Sequence, residues 1–578
     1  MCGFLAILQA DSTFSVGGHA PRAELLLDRL EHRGPDARGV WQGTASWLGH
    51  RRLAIVSPED GAQPYEFDGL AWVTNSEIYN HHQLRQQTGV EGLSPCDSAI
   101  FGPAWQAYGT DLPRHLDGQF AFVIVDEQQG AWIAARDPIG ICPLYLGRHA
   151  DGSLWFASEM KALVDDCDSV EIVPPGHAWI YDEHGLRREK WYDPAWQQPG
   201  YIPQQTVDEE AVRETLIKAV TKRLMCDVPC GLLLSGGLDS SLIASIAVRL
   251  GPQASGLRSF SDKFHTFSIG LPGSPDLLAA RRMAEFLGTI HHEFHFTVEE
   301  ALAEVPSVVR HLESFEQIRT AVPTKILARK VRECGIKMVL SGEGADELLG
   351  GYLYFHKAPS GKEMQEELVR KVTRLHQFDV MRANKAPMAH GLEVRFPFLD
   401  QAFVDLVMDI DPREKMCDMD QTPDGRHPRM EKYFLRAAFD DDRQPWLPEE
   451  TLWRPKEQFS DGVGYDWVDK LREHAATTIS QQDWDARTER FADAPPTTHE
   501  QFWMRELFEE FFVSGRTAGS SASATVPRGR SIACSTPEAL SWDESWQTAS
   551  GDISGRAISG IHPAASGFSM ERVQASHA

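Results

Sequence analysis

Residues Leu232–Ser241 read LLLSGGLDSS: an apolar run, then Ser-Gly-Gly, then Asp-Ser. The leucines read as a strand that ends in the glycines, and a helix begins near Asp239 or Ser240. Several backbone N–H groups and the positive end of that helix therefore converge on one anion-sized space, a phosphate cradle. No lysine follows the glycines, which excludes a Walker loop, and their spacing differs from the dinucleotide fingerprint. Gly-Gly alone would read as an ordinary strand-to-helix turn; Ser-Gly-Gly-x-Asp-Ser behind three leucines is much more specific.

Around this loop strands and helices alternate. CGLLLSGG feeds DSSLIASIAVRLG, HTFSIG feeds DLLAARRMAEFLG, and IHHEFHFT and KMVLSGEG follow with helices of their own. The repeat predicts an α/β domain with a parallel sheet and a ligand at the carboxyl ends of its strands. The first 190 or so residues differ: short apolar runs (LAIL, ASWLG, LAIV, LAWVT, FAFVIVD, AWIAA, LWFAS, HAWIY) are punctuated by Gly, Pro and Asp, and only PRAELLLDRL and DSAIFGPAWQAYG read as helices. That pattern predicts a β-rich α+β layer structure. DPAWQQPGYIPQQT has no periodicity and reads as a linker. The expected division is 2–193 for the first domain, 194–206 for the linker, 207–514 for the second domain and 515–578 for a loosely ordered tail rich in Ser, Ala and Gly. Trp542 and Trp546 in LSWDESW are the exception in the tail and are expected to dock onto the body.

The 578 residues carry 57 Lys plus Arg against 83 Asp plus Glu, a net charge of −26. This repels a phosphate backbone and excludes nucleic acid as a partner. No apolar run approaches the roughly 18 residues that span a bilayer, and the start lacks a basic-then-apolar leader, so no membrane association and a cytoplasmic location are expected. Nine cysteines, an odd number scattered along the chain, do not form a disulfide framework. Cys226 and Cys230 in CDVPC have no second Cys or His pair for zinc and read as small core or surface residues.

The chain starts MCGFLAIL. If Met1 is removed, Cys2 carries both a thiol, with a reference pKa of about 8.5, and the α-amine, at about 7.7 to 8.0, so proton exchange between them is nearly thermoneutral. A terminal amine serving its own side chain is an established way to activate a nucleophile. Position alone leaves the role of Cys2 open.

The loop at Leu232–Ser241 resembles the pyrophosphate-binding loop of ATP pyrophosphatases, and with MCGF upstream the joint pattern resembles the glutamine-hydrolysing asparagine synthetases. HRGPD (32–36), HRRLAIV (50–56), GAQP (61–64), NSEIYN (75–80) and ASEMKAL (157–163) are similar to the N-terminal-nucleophile glutaminase of class II amidotransferases, an αββα sandwich. HTFSIGLPGSPDL, LSGEGADELLGGYLYF, RFPFLD and WRPKEQFSDGVG are similar to the synthetase half. The resemblance implies Cys2 as nucleophile, Asn75 and Ser76 as the oxyanion hole, and a glutamine site of Arg52, Asn75, Glu77 and Asp97. It implies an ATP site of Leu234, Ser235, Gly236, Gly237, Asp239, Ser240, Ile269, Ser341, Gly342 and Lys456, with Asp239 and Asp346 for Mg²⁺. Arg319 and Glu343 are implied for aspartate, Glu343 also as a base for ammonia. The implied partners are the small molecules glutamine, aspartate and ATP, and the oligomeric state stays open, a homodimer being one option.

Two departures from the family pattern stand out. Ser76 occupies a position where the family has glycine, and if that site needs a positive φ the serine costs on the order of 1 kcal/mol. ESFEQIRTAVP is two residues shorter than the family segment and lacks its threonine pair before Arg319. Three other readings share part of the pattern: another class II amidotransferase, which would lack SGGLDSS; a β-lactam-forming synthetase, which would lack the terminal cysteine; and a non-catalytic scaffold retaining the fold.

Overall fold

A computed structural model describes residues 1–9, 18–254, 263–456, 462–513, 536 and 538–543. The first domain holds two six-stranded antiparallel sheets. One runs in the order Ser169–Ile172, Tyr145–Arg148, Leu154–Ala157, Gly3–Leu8, Ser46–Arg52, Ala37–Gln42. The other runs Gly185–Lys190, His177–Asp182, Ala131–Arg136, Gly118–Asp126, Leu70–Ile78, Tyr65–Phe67. Their facing sides are closed by residues such as Phe4, Leu48, Val73 and Val123, all fully buried. Helix Ala20–Asp28, with proline in its first turn as the sequence predicts, buries Ala23, Leu26 and Leu27 against the outer face of the first sheet. Helix Phe101–Tyr108 covers the second, and the layers are αββα.

LAIV, expected as a strand, is not one. Strand Ser46–Arg52 stops at Arg52, and Leu53–Val56 peel away as a loop. Its N–H groups leave the ladder for other acceptors: Leu53 donates to Cys2 Sγ and Ala54 to Asp36. The segment expected as a linker is firmly packed. Trp196 is buried and its indole donates to Asp405 at 2.9 Å, while Tyr201 donates to Asp409 at 2.7 Å.

The second domain is built on a parallel sheet in the order Ile290–His295, His265–Gly270, Cys230–Leu233, Met338–Leu340, Glu393–Arg395. The chain starts in the middle, builds to one side and returns to the other, so the sheet reverses order between Cys230–Leu233 and Met338–Leu340. A ligand crevice is expected at that point, outside the carboxyl ends of the strands. The fifth strand has only three residues, too few for a period to reveal it. In the tail, the described Trp542 rests its ring 5.9 Å from that of Tyr354 and 6.1 Å from that of Phe355, and Thr536 donates to Glu367 at 2.6 Å. Trp546 lies outside the described residues.

Candidate active sites

Cys2 sits at the start of a central strand, 8% exposed, facing the second sheet. Its amide nitrogen donates to Asn75 Oδ1 at 2.7 Å, Leu53 N–H approaches its Sγ at 3.4 Å, and Arg33 Nε holds its carbonyl at 2.9 Å. Burial pushes the thiol pKa up, against the pull of the terminal ammonium, the Leu53 backbone and Arg52. Met1 is buried too, its ammonium against Glu393 and its pKa lowered by burial.

Asn75, Ser76 and Glu77 are consecutive on strand Leu70–Ile78, opposite Ala121, Phe120 and Gln119. Asn75 Nδ2 is buried without a hydrogen-bond partner, so a donor stands ready beside Cys2. Ser76 is in regular strand conformation and is absent from the residues with positive φ, so the strain expected of serine there does not arise. An ordinary strand φ suits any L-residue, and the ladder N–H is kept. Glu77 is claimed across the domain boundary: Arg395 Nη2 lies 2.5 Å from its Oε2, and Arg395 also binds Glu393 at 2.6 Å. Arg52 is buried and donates to the carbonyls of Ser57 at 2.8 Å and Pro58 at 2.7 Å. A Cβ on Gly61 would stand 2.2 Å from its Nη2, which explains a glycine in GAQP. Asp97 accepts from Ile78 N–H at 2.8 Å, and burial, with Glu77 nearby, pushes its carboxyl up to about 7.

In the second domain one cavity occupies the sheet's reversal point. Leu234, Ser235, Gly237, Asp239, Ser240, Ile269, Ser341, Gly342, Glu343, Asp346 and Lys456, eleven residues that the resemblance implies, all line it. The loops after the two central strands touch: a Cβ on Gly342 would stand 2.7 Å from Ser240 N. Within the first loop Ser240 Oγ accepts from Ser235 N–H at 3.2 Å and lies 3.0 Å from Ser235 Oγ. Gly236 lies behind the wall. Its φ is +75°, and a Cβ there would strike Ala279 of helix Pro275–Leu287 at 2.3 Å, so only glycine lets the loop turn so close to that helix.

Several charged residues of this cavity were not singled out from the sequence, among them Lys432, Arg382 and Arg454. Lys432, 2% exposed at its side chain, places Nζ 2.6 Å from Asp239 and 2.5 Å from Asp346. Lys456 reaches the other oxygen of Asp346 at 2.5 Å. Burial pushes the Asp346 carboxyl up, but the two lysines outweigh it and hold it at about 2. Arg382 pairs with Glu343, whose carboxyl is pushed up by burial and by Asp379 and Asp346, against the pull of Arg382. Arg454 donates to the Gly236 carbonyl at 3.2 Å. Lysine or arginine singly has no local pattern, so no sequence signal marks these three.

Arg319 needs a correction. Its guanidinium makes a buried bidentate pair with Glu500, at 2.8 and 2.7 Å, and it is absent from the cavity wall. Gln317 and Thr320, flanking it at the start of helix Ile318–Glu333, do line the cavity. Glu500 belongs to helix His499–Phe512, whose packing draws the arginine to the other side.

Asp239 and Asp346 meet the chemical demands of Mg²⁺, which takes carboxylate oxygens and keeps several waters. Both are hard donors converging on one point, Lys432 Nζ, and Asp239 keeps one buried oxygen, Oδ1, without a hydrogen bond. Among the described residues no helix is long and apolar enough to cross a membrane.

An antiparallel αββα sandwich with Cys2 at its seam, joined to a parallel sheet with a phosphate-type crevice at its reversal point, defines a two-domain amidotransferase. The glutamine amidotransferase domain model matches residues 1–192, and the asparagine synthase model matches 211–363 and 358–528. The chain is 47% identical to asparagine synthetase [glutamine-hydrolyzing] 3 of Arabidopsis thaliana, over 98% of this chain and 96% of that protein. It is 46% identical to the rice asparagine synthetase [glutamine-hydrolyzing] 2 (Oryza sativa subsp. japonica), covering 100% and 95%, and 46% identical to the maize (Zea mays) asparagine synthetase, covering 98% and 94%. The chain belongs to the glutamine-hydrolysing asparagine synthetase family.

Proposed function

We propose that the protein makes L-asparagine from L-aspartate and ATP, with ammonia from glutamine hydrolysis, and that Cys2 and the residues around the second cavity carry the two half-reactions. The observation that carries this reading is the coexistence in one chain of a buried cysteine beside the unpartnered Asn75 Nδ2 and a crevice, carrying Lys432 and Lys456, where Ser-Gly-Gly meets Ser-Gly-Glu. A carboxylate is a poor acyl donor to an amine, so the β-carboxylate of aspartate attacks the α-phosphate of ATP, forming β-aspartyl-AMP and expelling pyrophosphate. Ammonia then attacks the acyl carbon, AMP leaves and asparagine forms.

In the first domain Cys2 Sγ attacks the side-chain amide of glutamine, its proton passing through the α-amine to the departing ammonia. Water then cleaves the thioester to glutamate. With Met1 removed, that amine would stand where the Cys2 N–H now meets Asn75 Oδ1. The Asn75 amide is placed to take the developing oxyanion, and such a donor contributes roughly 10²- to 10³-fold. Arg52 and Asp97 are suited to the carboxylate and ammonium of the amino-acid end. In the second domain the N–H groups after Leu234, together with Lys456 and Lys432, are suited to the phosphates. Mg²⁺, held by Asp239 and Asp346, would neutralise charge on the departing pyrophosphate. Glu343, its carboxyl pushed up by burial, is suited to take a proton from the attacking amine.

The test follows the amide nitrogen. Incubation with amide-¹⁵N-glutamine, aspartate and ATP should give ¹⁵N-asparagine with AMP and pyrophosphate in equal amounts. ADP and phosphate as the nucleotide products, or no label in asparagine, would contradict the reading.

A further inference from the structure

The helix Asp379–Met388 separates the two centres and touches both. On one side Asp379, Arg382, Ala383 and Pro387 line the ATP cavity, and Arg382 is paired with Glu343. Asn384, two residues beyond Arg382 and so about 200° around the helix, points the other way. Its Oδ1 accepts from Arg33 Nη2 at 3.2 Å, and its Nδ2 lies 2.9 Å from the Ile141 carbonyl and 2.8 Å from Met1 Sδ. The same Arg33 holds the Cys2 carbonyl through Nε. An unbroken series of contacts therefore runs from Glu343 through Arg382, the helix, Asn384 and Arg33 to the backbone of Cys2.

The helix cannot slide freely against the first domain. Lys385 Nζ binds Glu313 and the Tyr145 hydroxyl, each at 2.6 Å, and Glu313 in turn accepts the backbone N–H groups of Met160 and Lys161 at 2.8 and 2.6 Å. These groups are fully buried or nearly so, where charge pairs are strong and misalignment is costly. A change at Arg382 is thus transmitted as a small rotation or shift of a rigid element, and the contact on the far side that can respond is the long 3.2 Å link between Asn384 and Arg33.

We propose that Asn384 is a positioning residue for glutamine hydrolysis: it aligns Cys2 through Arg33, and because its helix also presents Arg382 to the ATP cavity, occupation of that cavity by the anionic substrates sets the alignment. Ammonia release is then matched to the presence of an acyl adenylate to receive it. This rests on Cys2 being the nucleophile.

The experiment compares wild type, Asn384→Ala and Asn384→Asp, the last keeping the oxygen that faces Arg33. Glutaminase kcat/KM is measured with and without saturating ATP and aspartate, together with glutamine consumed per asparagine formed and synthesis from added ammonia. Thermal melting verifies that each variant is folded. In wild type the substrates should change glutaminase kcat/KM by at least about threefold. In Asn384→Ala that ratio should fall to about one and glutamine consumed per asparagine should at least double, while ammonia-dependent synthesis stays within about twofold; Asn384→Asp should restore much of the response. The proposal is overturned if wild-type glutaminase ignores ATP and aspartate, if Asn384→Ala retains the wild-type ratio and stoichiometry, or, should that variant not fold, if Asn384→Asp departs from both. Glutaminase activity persisting in a Cys2→Ala control would instead refute the nucleophile assignment beneath it.

Discussion

The two centres are built on opposite principles. Around Cys2 most of the functional groups stand on strands: Arg52 ends one, Asn75 to Glu77 lie within another, and register fixes their spacing, while Asp97 opens a short helix beside them. Around the ATP cavity they stand on loops and first helical turns at the carboxyl ends of a parallel sheet, and charge fixes their positions, with Lys432 bridging Asp239 and Asp346 and Lys456 pairing with Asp346. The first centre is a buried seam with an orphaned amide donor and one carboxyl raised to about 7. The second is a crevice of balanced charges, with the Asp346 carboxyl held near 2 by two lysines. The strand-built seam suits a single covalent step on a neutral amide. The loop-built crevice suits a triphosphate, whose charges exchange with those already present.

If the centres are chemically independent, damage to one must spare the other, and the largest effect should come from the charged loops. Asp239→Ala and Glu343→Ala should each lower asparagine formation by about 10²- to 10³-fold, the scale of losing one preorganised electrostatic group. Glutamine hydrolysis, assayed as glutamate release, should remain within a few fold. Loss of hydrolysis in a folded variant would break the separation.

Lys432→Ala sharpens the contrast in how the centres are held. It leaves two largely buried carboxylates facing each other, and removing one partner of such a group costs about 3 to 5 kcal/mol. Urea unfolding should register a loss of that order, with synthesis falling by about 10²-fold. Unchanged stability would mean that Asp239 and Asp346 are not held by this lysine.

The seam should be sensitive to pH near neutrality. The raised carboxyl of Asp97 becomes charged only as pH rises through about 7, and the charged form is the one that can receive an ammonium. Glutaminase kcat/KM should therefore climb toward a plateau above pH 7, by up to about tenfold per pH unit below it, and Asp97→Asn should be both weak and flat. The sign for stability is opposite: a carboxyl whose folded pKa exceeds its unfolded value favours the native state at low pH, and that contribution is lost as pH rises from about 4 to 7.

The smallest effect is expected at Ser76. With regular strand geometry there, Ser76→Gly relieves no strain; it should leave glutamine hydrolysis within about twofold and cost about 0.5 to 1 kcal/mol of stability, as glycine does inside a strand. A large gain in hydrolysis would show that serine does obstruct the site.

The same contrast explains what the sequence made legible. Loops that follow apolar strands carry glycines at fixed offsets, and eleven residues assigned through them and through the family likeness reached one cavity. The residues that balance charge there, Lys432 and Arg382, come from segments distant in sequence and carry no periodic mark. Arg319 was placed by its motif, yet its pairing with Glu500, 181 residues away, decides where its guanidinium goes. Leu53–Val56 looked like a strand because apolar alternation cannot distinguish a ladder from a buried loop whose N–H groups find other acceptors. Neither Glu77 meeting Arg395 nor Asn384 meeting Arg33 was visible, since packing between domains leaves no local pattern.

The most direct test of two chemically separate centres in one chain is Cys2→Ala. The side chain is small, so the variant should fold, but the thiol that Asn75 faces is gone. Glutamine-dependent asparagine synthesis should fall by about 10³-fold or more. Ammonium salt at mildly alkaline pH should restore it to the wild-type ammonia-dependent rate, with AMP and pyrophosphate in equal amounts. Undiminished glutamine-dependent synthesis, or a folded variant that ammonia cannot rescue, would contradict the account.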